Sequence, residues 1–176
     1  MFTNPSQTVN HFEILSGMRV ADFGAGAGFF VLAAAPLLGE NGRIYAVDIQ
    51  KELLSKIKRD AENRGFFNVE LIWGDAEKIG GTKLADNSLD VVIASNILFQ
   101  VNSKESLIEE VKRVLKPGKG KVFVIEWRDS FGGLGPEPSF IVSPENSKAL
   151  FLASGFEFYK SFPTGPHHYG LAFRKK

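Results

Sequence analysis

The stretch Val20–Gly28, with the sequence VADFGAGAG, decides the fold of this chain. A short β-rich run ends in an acidic residue, and glycines then occupy alternate positions. Glycine lets the backbone turn sharply and approach a ligand closely. In open α/β sheets such a turn joins a strand to a helix, and ligands bind outside the carboxyl ends of the strands. Taken alone, the stretch also fits a tight turn that holds no ligand.

The spacing of these glycines argues against a dinucleotide fingerprint. That fingerprint places glycine at the first, third and sixth positions of the loop. Counted from Gly24, the sixth position is Phe29. A nicotinamide-dependent oxidoreductase is therefore disfavoured.

Outward from this loop, short β-rich runs alternate with helical patterns. The predicted strands are Arg19–Phe23, Arg43–Asp48, Val69–Trp73, Leu89–Ser95 and Val122–Trp127. Four helices are predicted between and after these strands. The first begins at Phe29 and should end or kink at Pro36, and the second is amphipathic and covers Lys51–Arg64. The third begins with a capping box at Asn102 and Glu105, and the fourth is capped by Ser143. This alternation predicts right-handed crossovers and a parallel sheet that is covered on both faces.

The end of the chain changes character. Only six residues separate the β-rich runs Phe156–Phe162 and Tyr169–Arg174, whereas a parallel crossover needs about a dozen or more. We therefore expect an antiparallel hairpin. The predicted fold is α/β: a Rossmann-like, doubly wound, mostly parallel seven-stranded sheet with a C-terminal antiparallel hairpin. Residues 1–16 are expected to form a short leader or cap, and residues 17–176 the main domain.

Composition bounds the function. The 176 residues suffice for one domain, and 21 basic against 20 acidic residues leave no basic excess of the kind that nucleic-acid binders show. The absence of cysteine excludes disulfides, thiolate metal sites and a cysteine nucleophile. The longest apolar run, Phe29–Leu38, has ten residues and is too short to span a bilayer. With no secretory signal visible, we expect a cytoplasmic protein.

Polar residues follow the next three predicted strands. Asp48 lies 22 residues after Gly26, where a carboxylate can hold ribose hydroxyls, or it caps the following helix. Asp75 can accept a hydrogen bond from an adenine amino group, or it forms a turn. Asn96 can line the site near a reacting group, or it pairs only with backbone groups of its turn. Their joint placement at one edge of the sheet favours a ligand site.

With these segments the chain resembles the class I S-adenosylmethionine-dependent methyltransferases, from about Gly17 to Lys176. The likeness is greatest to the ubiquinone/menaquinone branch of small-molecule methyltransferases. It is carried by Val20–Gly28, Tyr45–Asp48, Gly74–Ala76, Asp86–Val92 and Val114–Gly118, and by the terminal hairpin.

The resemblance implies S-adenosylmethionine as the cofactor and assigns roles around it. The glycine loop would contact the methionine portion, Asp48 the ribose and Asp75 the adenine, with Asp22 near the amino group. The residues expected at the cofactor are Asp22, Gly24, Ala25, Gly26, Gly28, Asp48, Ile49, Asp75, Ala76 and Asn96. No metal site is expected.

The acceptor is not identified by any motif. A small or medium organic acceptor is favoured, and a pocket completed by a second copy, as in a homodimer, is possible. Two alternatives stay open: a methyltransferase-like binding or scaffolding subunit without its own turnover, and methylation of a macromolecule. The short leader and the short stretch after the fifth strand predict an open acceptor side.

His167 and His168 lie at the mouth of the final hairpin. Neighbouring strand residues point to opposite faces, so the pair makes a poor metal site. A turn role is expected, with His168 or Tyr169 as weak candidates for a catalytic base. A mobile rim over the acceptor side is expected from the leader and residues 131–138, and the aromatic residues expected along the rim are Phe2, Phe12, Phe99, Phe131 and Phe140.

Overall fold

A single seven-stranded sheet organises the computed structural model, which describes residues 4–176. In chain order the strands are β1 (Arg19–Phe23), β2 (Arg43–Asp48), β3 (Val69–Trp73), β4 (Val91–Ser95), β5 (Lys121–Trp127), β6 (Phe156–Phe162) and β7 (His168–Lys175). Their order across the sheet is β3-β2-β1-β4-β5-β7-β6. Strands β1 to β5 pair in parallel, and β7 pairs antiparallel with both β5 and β6. The predicted fold class and terminal hairpin are confirmed.

Helices cover both faces of the sheet, as a parallel sheet requires. They are α1 (Pro5–Thr8), α2 (Phe29–Leu38), α3 (Lys51–Asn63), α4 (Lys104–Val114) and α5 (Pro144–Ala153), with short 3₁₀ turns at Val9–Phe12 and Pro138–Phe140. The leader, α2 and α3 pack on one face, and α4 and α5 pack on the other. No helix described between residues 4 and 176 is long and apolar enough to cross a membrane.

Several predicted boundaries differ from the structure, and three of these differences have an evident physical reason. Helix α2 continues through Pro36 to Leu38, because burial of Leu38 in the core holds the last turn. The cap of α4 is Ser103 rather than Asn102, since the Ser103 hydroxyl accepts from the Ser106 amide at 3.1 Å. Strand β4 begins at Val91, because the expected start of the strand makes only an isolated bridge to the end of α4.

Part of the described leader packs into the core, whereas Pro5 lines one of the cavities described below. Val9 and Phe12 are buried, and the Phe12 ring centroid lies 4.8 Å from that of Phe123 on β5. Burial of these apolar side chains stabilises the packed leader, although most of its residues are polar. Phe131 and Phe140 are each 59% exposed, and their role in a rim over the acceptor side stays a prediction. The corresponding prediction for Phe2 lies outside the described residues.

A partly buried carboxylate fastens the leader to the sheet. Glu13 accepts hydrogen bonds from Tyr159 at 3.0 Å and Lys160 at 2.7 Å, and also from Lys121. Although burial opposes ionisation, these bonds lower the pKa of Glu13 to about 2. The carboxylate therefore stabilises the folded chain only while it is ionised.

Replacement Glu13→Gln should lower the free energy of unfolding by about 1 kcal/mol at pH 7. The value is this small because the Glu13 side chain is 38% exposed and solvent screens its charge. The folded pKa lies below the ordinary value of 4.5, so the wild-type advantage is complete above pH 4.5 and is lost as pH falls towards 2. Urea denaturation at neutral and acid pH measures it. Glu109→Gln, at an exposed position on α4, is the control. An equal loss at both pH values would contradict the assignment.

Candidate functional site

The glycine loop is held against β2 by backbone hydrogen bonds. The amides of Gly24 and Ala25 both donate to the Val47 carbonyl, at 2.9 and 3.0 Å. Gly24, Gly26 and Gly28 all have positive φ, at 69°, 53° and 80°, which side chains rarely adopt. Glycine thus occupies alternate positions because the backbone of this loop is left-handed at each of the three.

The three glycines differ in what surrounds them. A Cβ on Gly24 would lie 2.9 Å from Cδ1 of Ile97, and one on Gly28 would lie 2.5 Å from Cγ1 of Ile57 on α3. A Cβ on Gly26 would meet nothing closer than the Gly24 carbonyl oxygen, at 3.8 Å. Gly26 therefore faces open space, whereas Gly28 allows α2 and α3 to pack closely. The expectation that Gly28 contacts a ligand is not supported by this geometry.

Asp48 joins the end of β2 to the glycine loop. One carboxylate oxygen accepts from the Gly26 amide and the other from the Gln50 amide, each at 2.8 Å. The cap of α3 is Gln50, so the helix-cap interpretation of Asp48 is wrong. The carboxylate is 6% exposed. Each oxygen retains a second lone pair that can accept from a ligand.

A cavity of about 230 Å³ opens beside Asp48, at the ends of β2 and β3, and is called here the β2/β3 cavity. It is lined by the predicted residues Ile49, Asp75 and Ala76, together with Gly24 and Gly26. The Asp75 carboxylate accepts from the Glu77 amide at 3.0 Å, so the residue forms a turn and also faces the cavity. The two interpretations of Asp75 are compatible.

A second cavity of about 350 Å³ lies on the other side of the glycine loop and is called here the β4/β7 cavity. Asp22, Gly24, Ala25 and Gly26 line it together with Asn96. Gly24 and Gly26 thus face both cavities. The two cavities therefore adjoin at the glycine loop.

Asp22 is the buried acid of the β4/β7 cavity. It is 2% exposed, and burial, assisted by the charge of Asp48, raises the pKa of Asp22 to about 8. A buried carboxylate is costly unless a cation accompanies it. The position therefore suits a ligand that brings a positively charged group.

Asn96 and His168, which both line this cavity, carry buried polar atoms that are unsatisfied. Oδ1 of Asn96 and both ring nitrogens of His168 are buried and have no hydrogen-bond partner within residues 4–176. The Asn96 amide already bonds the Ile125 carbonyl at 2.7 Å, so the backbone turn does not depend on the side-chain oxygen. Burial, assisted by His167, lowers the pKa of the His168 ring, which keeps it neutral at physiological pH.

The structure separates the other catalytic candidate from this cavity. Tyr169 lies on the opposite face of β7, where its hydroxyl is 2.6 Å from Oγ of Ser147 and donates to the Val142 carbonyl at 2.7 Å. Burial raises the pKa of Tyr169. Its hydroxyl is committed to core hydrogen bonds, and Tyr169 is not a base for a ligand in the β4/β7 cavity.

Sequence reasoning missed two residues that shape the β4/β7 cavity. Trp127, the last residue of β5, lines it, and the Trp127 ring centroid lies 4.2 Å from that of His168. Glu126 accepts from the amides of Ile97 at 2.7 Å and Leu98 at 2.6 Å, and so positions the loop that carries Asn96. Burial raises the pKa of Glu126 to about 8. A signal was available, because both residues lie at the carboxyl end of β5, at the same edge of the sheet as Asp48 and Asn96.

Residues 14–129, about two thirds of the chain, match the family model described as "Methyltransferase domain". The chain belongs to the methyltransferase domain family. Gly24 and Gly26 of the glycine loop line both cavities, whereas Asp48 and Asp75 line the β2/β3 cavity and Asp22 lines the β4/β7 cavity.

Individual relatives of this methyltransferase domain agree with the family. The arsenite methyltransferase of Aquipseudomonas alcaligenes is 34% identical over 60% of this chain and 32% of its own length. The ubiquinone/menaquinone biosynthesis C-methyltransferase of Azotobacter vinelandii is 35% identical over 68% of this chain and 46% of its own. The chain thus spans about a third to a half of these curated relatives. A solved structure of a SAM-dependent methyltransferase from Aquifex aeolicus is 26% identical, with a TM-score of 0.87, over 98% of this chain and 89% of that one.

Proposed function

We propose that this chain binds S-adenosylmethionine across the two cavities and transfers its methyl group to a small or medium organic acceptor. The observation that carries the proposal is the open face of Gly26, with Asp48 on one side of the loop and Asp22 on the other. A ligand that bridges the cavities lies in the space that a Cβ on Gly26 would fill. Membership of the family and the Aquifex aeolicus structure support the same cofactor.

The residues present fit each part of this cofactor. Asp48 would accept from the ribose hydroxyls, and Asp75 would accept from the adenine amino group beside Ile49 and Ala76. The raised pKa of Asp22 reflects a buried acid that gains from a cation, and the methionine amino group supplies one. The fit therefore rests on hydrogen-bond chemistry and charge as well as on shape.

The chain's own contribution to the reaction is alignment. When bound, S-adenosylmethionine supplies a methyl group that its sulfonium already activates. Holding an acceptor in line with that group contributes about 7 to 11 kcal/mol in well-oriented systems. A reaction that needs no metal stays a prediction, and methyl transfer that continues in the presence of a chelator would support it.

The acceptor assignment rests on composition and on the relatives. The relatives are named for arsenite and for ubiquinone/menaquinone biosynthesis, but they match this chain over less than half of their own length. This chain has no cysteine, so no thiolate is present to hold a thiophilic arsenic centre. The near balance of charge offers no basic surface for nucleic acid. A cytoplasmic location and a homodimer also stay predictions.

Replacement Asp48→Asn should weaken S-adenosylhomocysteine binding about tenfold, because one charge-assisted hydrogen bond is worth about 1.5 to 3 kcal/mol. Calorimetry on the folded variant measures this. Asp60→Asn, which removes an exposed carboxylate from α3, is the matched control and should leave the affinity unchanged. Unchanged affinity in Asp48→Asn would remove Asp48 from the ribose site.

Turnover distinguishes an enzyme from a binding or scaffolding subunit. The wild-type chain, incubated with methyl-labelled cofactor and pools of small organic acceptors, should produce S-adenosylhomocysteine and a labelled product. Tight cofactor binding with no turnover for any small acceptor would favour the scaffolding alternative. Label found in protein or nucleic acid alone would favour a macromolecular acceptor.

A further inference from the structure

Two residues that line the β4/β7 cavity, Asn96 and His168, carry buried polar atoms without a hydrogen-bond partner among residues 4–176. His168 is 4% exposed, and its two ring nitrogens have no partner in the described range 4–176. Such a group costs about 1 to 3 kcal/mol while it stays unpaired. The nearby Asn96 oxygen is in the same state. A ligand hydroxyl that donates to the acceptor nitrogen of His168 would remove one of these penalties.

The walls around His168 are aromatic. Trp127 packs on the His168 ring, and Phe29 and Phe30 also line the cavity. Phe29 is 66% exposed, so an apolar surface is available at the mouth. The total volume of about 350 Å³ must also hold the methionine end of the cofactor beside Asp22. The remaining space suits a flat ligand of about one ring.

We propose that His168 is the catalytic base for a small, uncharged acceptor whose acidic hydroxyl group, phenolic or enolic, lies between these aromatic walls. The inference rests on the proposed function. It adds the class of the acceptor and the residue that receives its proton.

Charge excludes other acceptors of the same size. No lysine or arginine from residues 4–176 lines the cavity, so an acceptor carboxylate has no counter-ion there. An ammonium acceptor would be repelled by the sulfonium and by the methionine amino group. The lowered pKa of His168, caused by burial and by His167 and opposed by Asp129, makes it a weak base. Such a base can deprotonate a phenol or enol but not an ordinary alcohol.

The chemical step balances with these groups alone. The acceptor hydroxyl gives its proton to a ring nitrogen of His168 as the oxygen lone pair forms a bond to the methyl carbon. The carbon–sulfur bond breaks, and its electron pair stays on sulfur. The products are a methyl ether and S-adenosylhomocysteine, and His168 later releases its proton to solvent. Neither an oxidant nor a metal enters the balance.

The test uses phenol as the probe, with benzylamine and benzoate as its charged counterparts, on protein saturated with S-adenosylhomocysteine. In histidine-labelled protein, phenol should shift the ring-nitrogen NMR signals of His168. His168→Phe, which keeps the aromatic volume, should weaken phenol binding at least about tenfold and lower methyl transfer to phenol at least about 100-fold. His11→Gln is the matched control: the His11 ring stacks on Phe162 outside the cavity, so this variant should leave phenol binding and methyl transfer unchanged.

The outcomes separate this inference from the proposed function. S-adenosylhomocysteine is titrated first, and failure of the wild type to bind it overturns both. Normal cofactor binding with phenol affinity equal in wild type and His168→Phe overturns only the role of His168. Tighter binding of benzylamine or benzoate overturns the acceptor class. If His168→Phe does not fold, the wild-type NMR shifts and the His168→Gln variant decide in its place.

Discussion

Replacing Gly26 with alanine should abolish detectable cofactor binding while leaving the fold intact. A Cβ at this position has free space in the protein alone, with its nearest neighbour at 3.8 Å. The same Cβ would occupy the space proposed for the cofactor. We expect the dissociation constant for S-adenosylhomocysteine to rise at least about 100-fold, which corresponds to about 2.7 kcal/mol.

Gly65→Ala provides the matched control for backbone strain. Gly65 also has positive φ, at 71°, and a Cβ on it meets nothing within 4 Å. Both variants should lose about 1 to 2 kcal/mol of stability, because alanine is unfavourable in the left-handed region. Thermal unfolding measures that shared loss, and calorimetry measures the binding loss expected only in Gly26→Ala. Equal binding in the two variants would make the glycine loop a turn and nothing more.

The second large effect is expected at Asp22. In the free protein the pKa of Asp22 is raised to about 8, so the group is mostly protonated at pH 7. The cofactor's amino group favours the carboxylate, and binding should therefore release close to one proton from this residue. Asp22→Asn should weaken binding about 30- to 100-fold, because a hydrogen bond between two charged groups is lost.

Calorimetry in two buffers of different ionisation enthalpy measures the proton release. It should be present in the wild type and absent in Asp22→Asn. Asp60→Asn, which removes an exposed carboxylate of α3 that lines neither cavity, is the control and should leave the release unchanged. Proton release that persists in Asp22→Asn would show that a different group responds to the cofactor.

The same residue sets a pH dependence of stability. The pKa of Asp22 in the folded state lies above the ordinary value of 3.8. Between about pH 4 and 8, Asp22 is therefore protonated in the folded state and ionised in the unfolded state. Stability from this group is complete below pH 4 and falls as pH rises to 8, by about 1.4 kcal/mol for each unit of pKa shift. Asp22→Asn should therefore gain stability over the wild type as pH rises. A constant difference across this range would contradict the raised pKa.

The sequence determined the elements and the edge of the sheet at which the site lies. Strands and helices have different apolar periods, and six residues are too few for a parallel crossover, so local pattern sufficed for the alternation and the hairpin. Placement at strand ends brought Asp22, Asp48 and Asn96 to one edge. These inferences need no knowledge of which side chains meet.

Only the tertiary structure decided which side chains meet. Contacts between residues distant in sequence place Gly28 against Ile57, Asp48 on the Gly26 amide and Phe12 in the core. Periodicity predicts that His168 and Tyr169 point to opposite faces of β7, but not which face carries the cavity. That choice is made by the position of β7 beside β5, which sets His168 against Trp127 and leaves Tyr169 in the core. The acceptor side of this protein is therefore defined by strand pairing, which local sequence pattern does not encode.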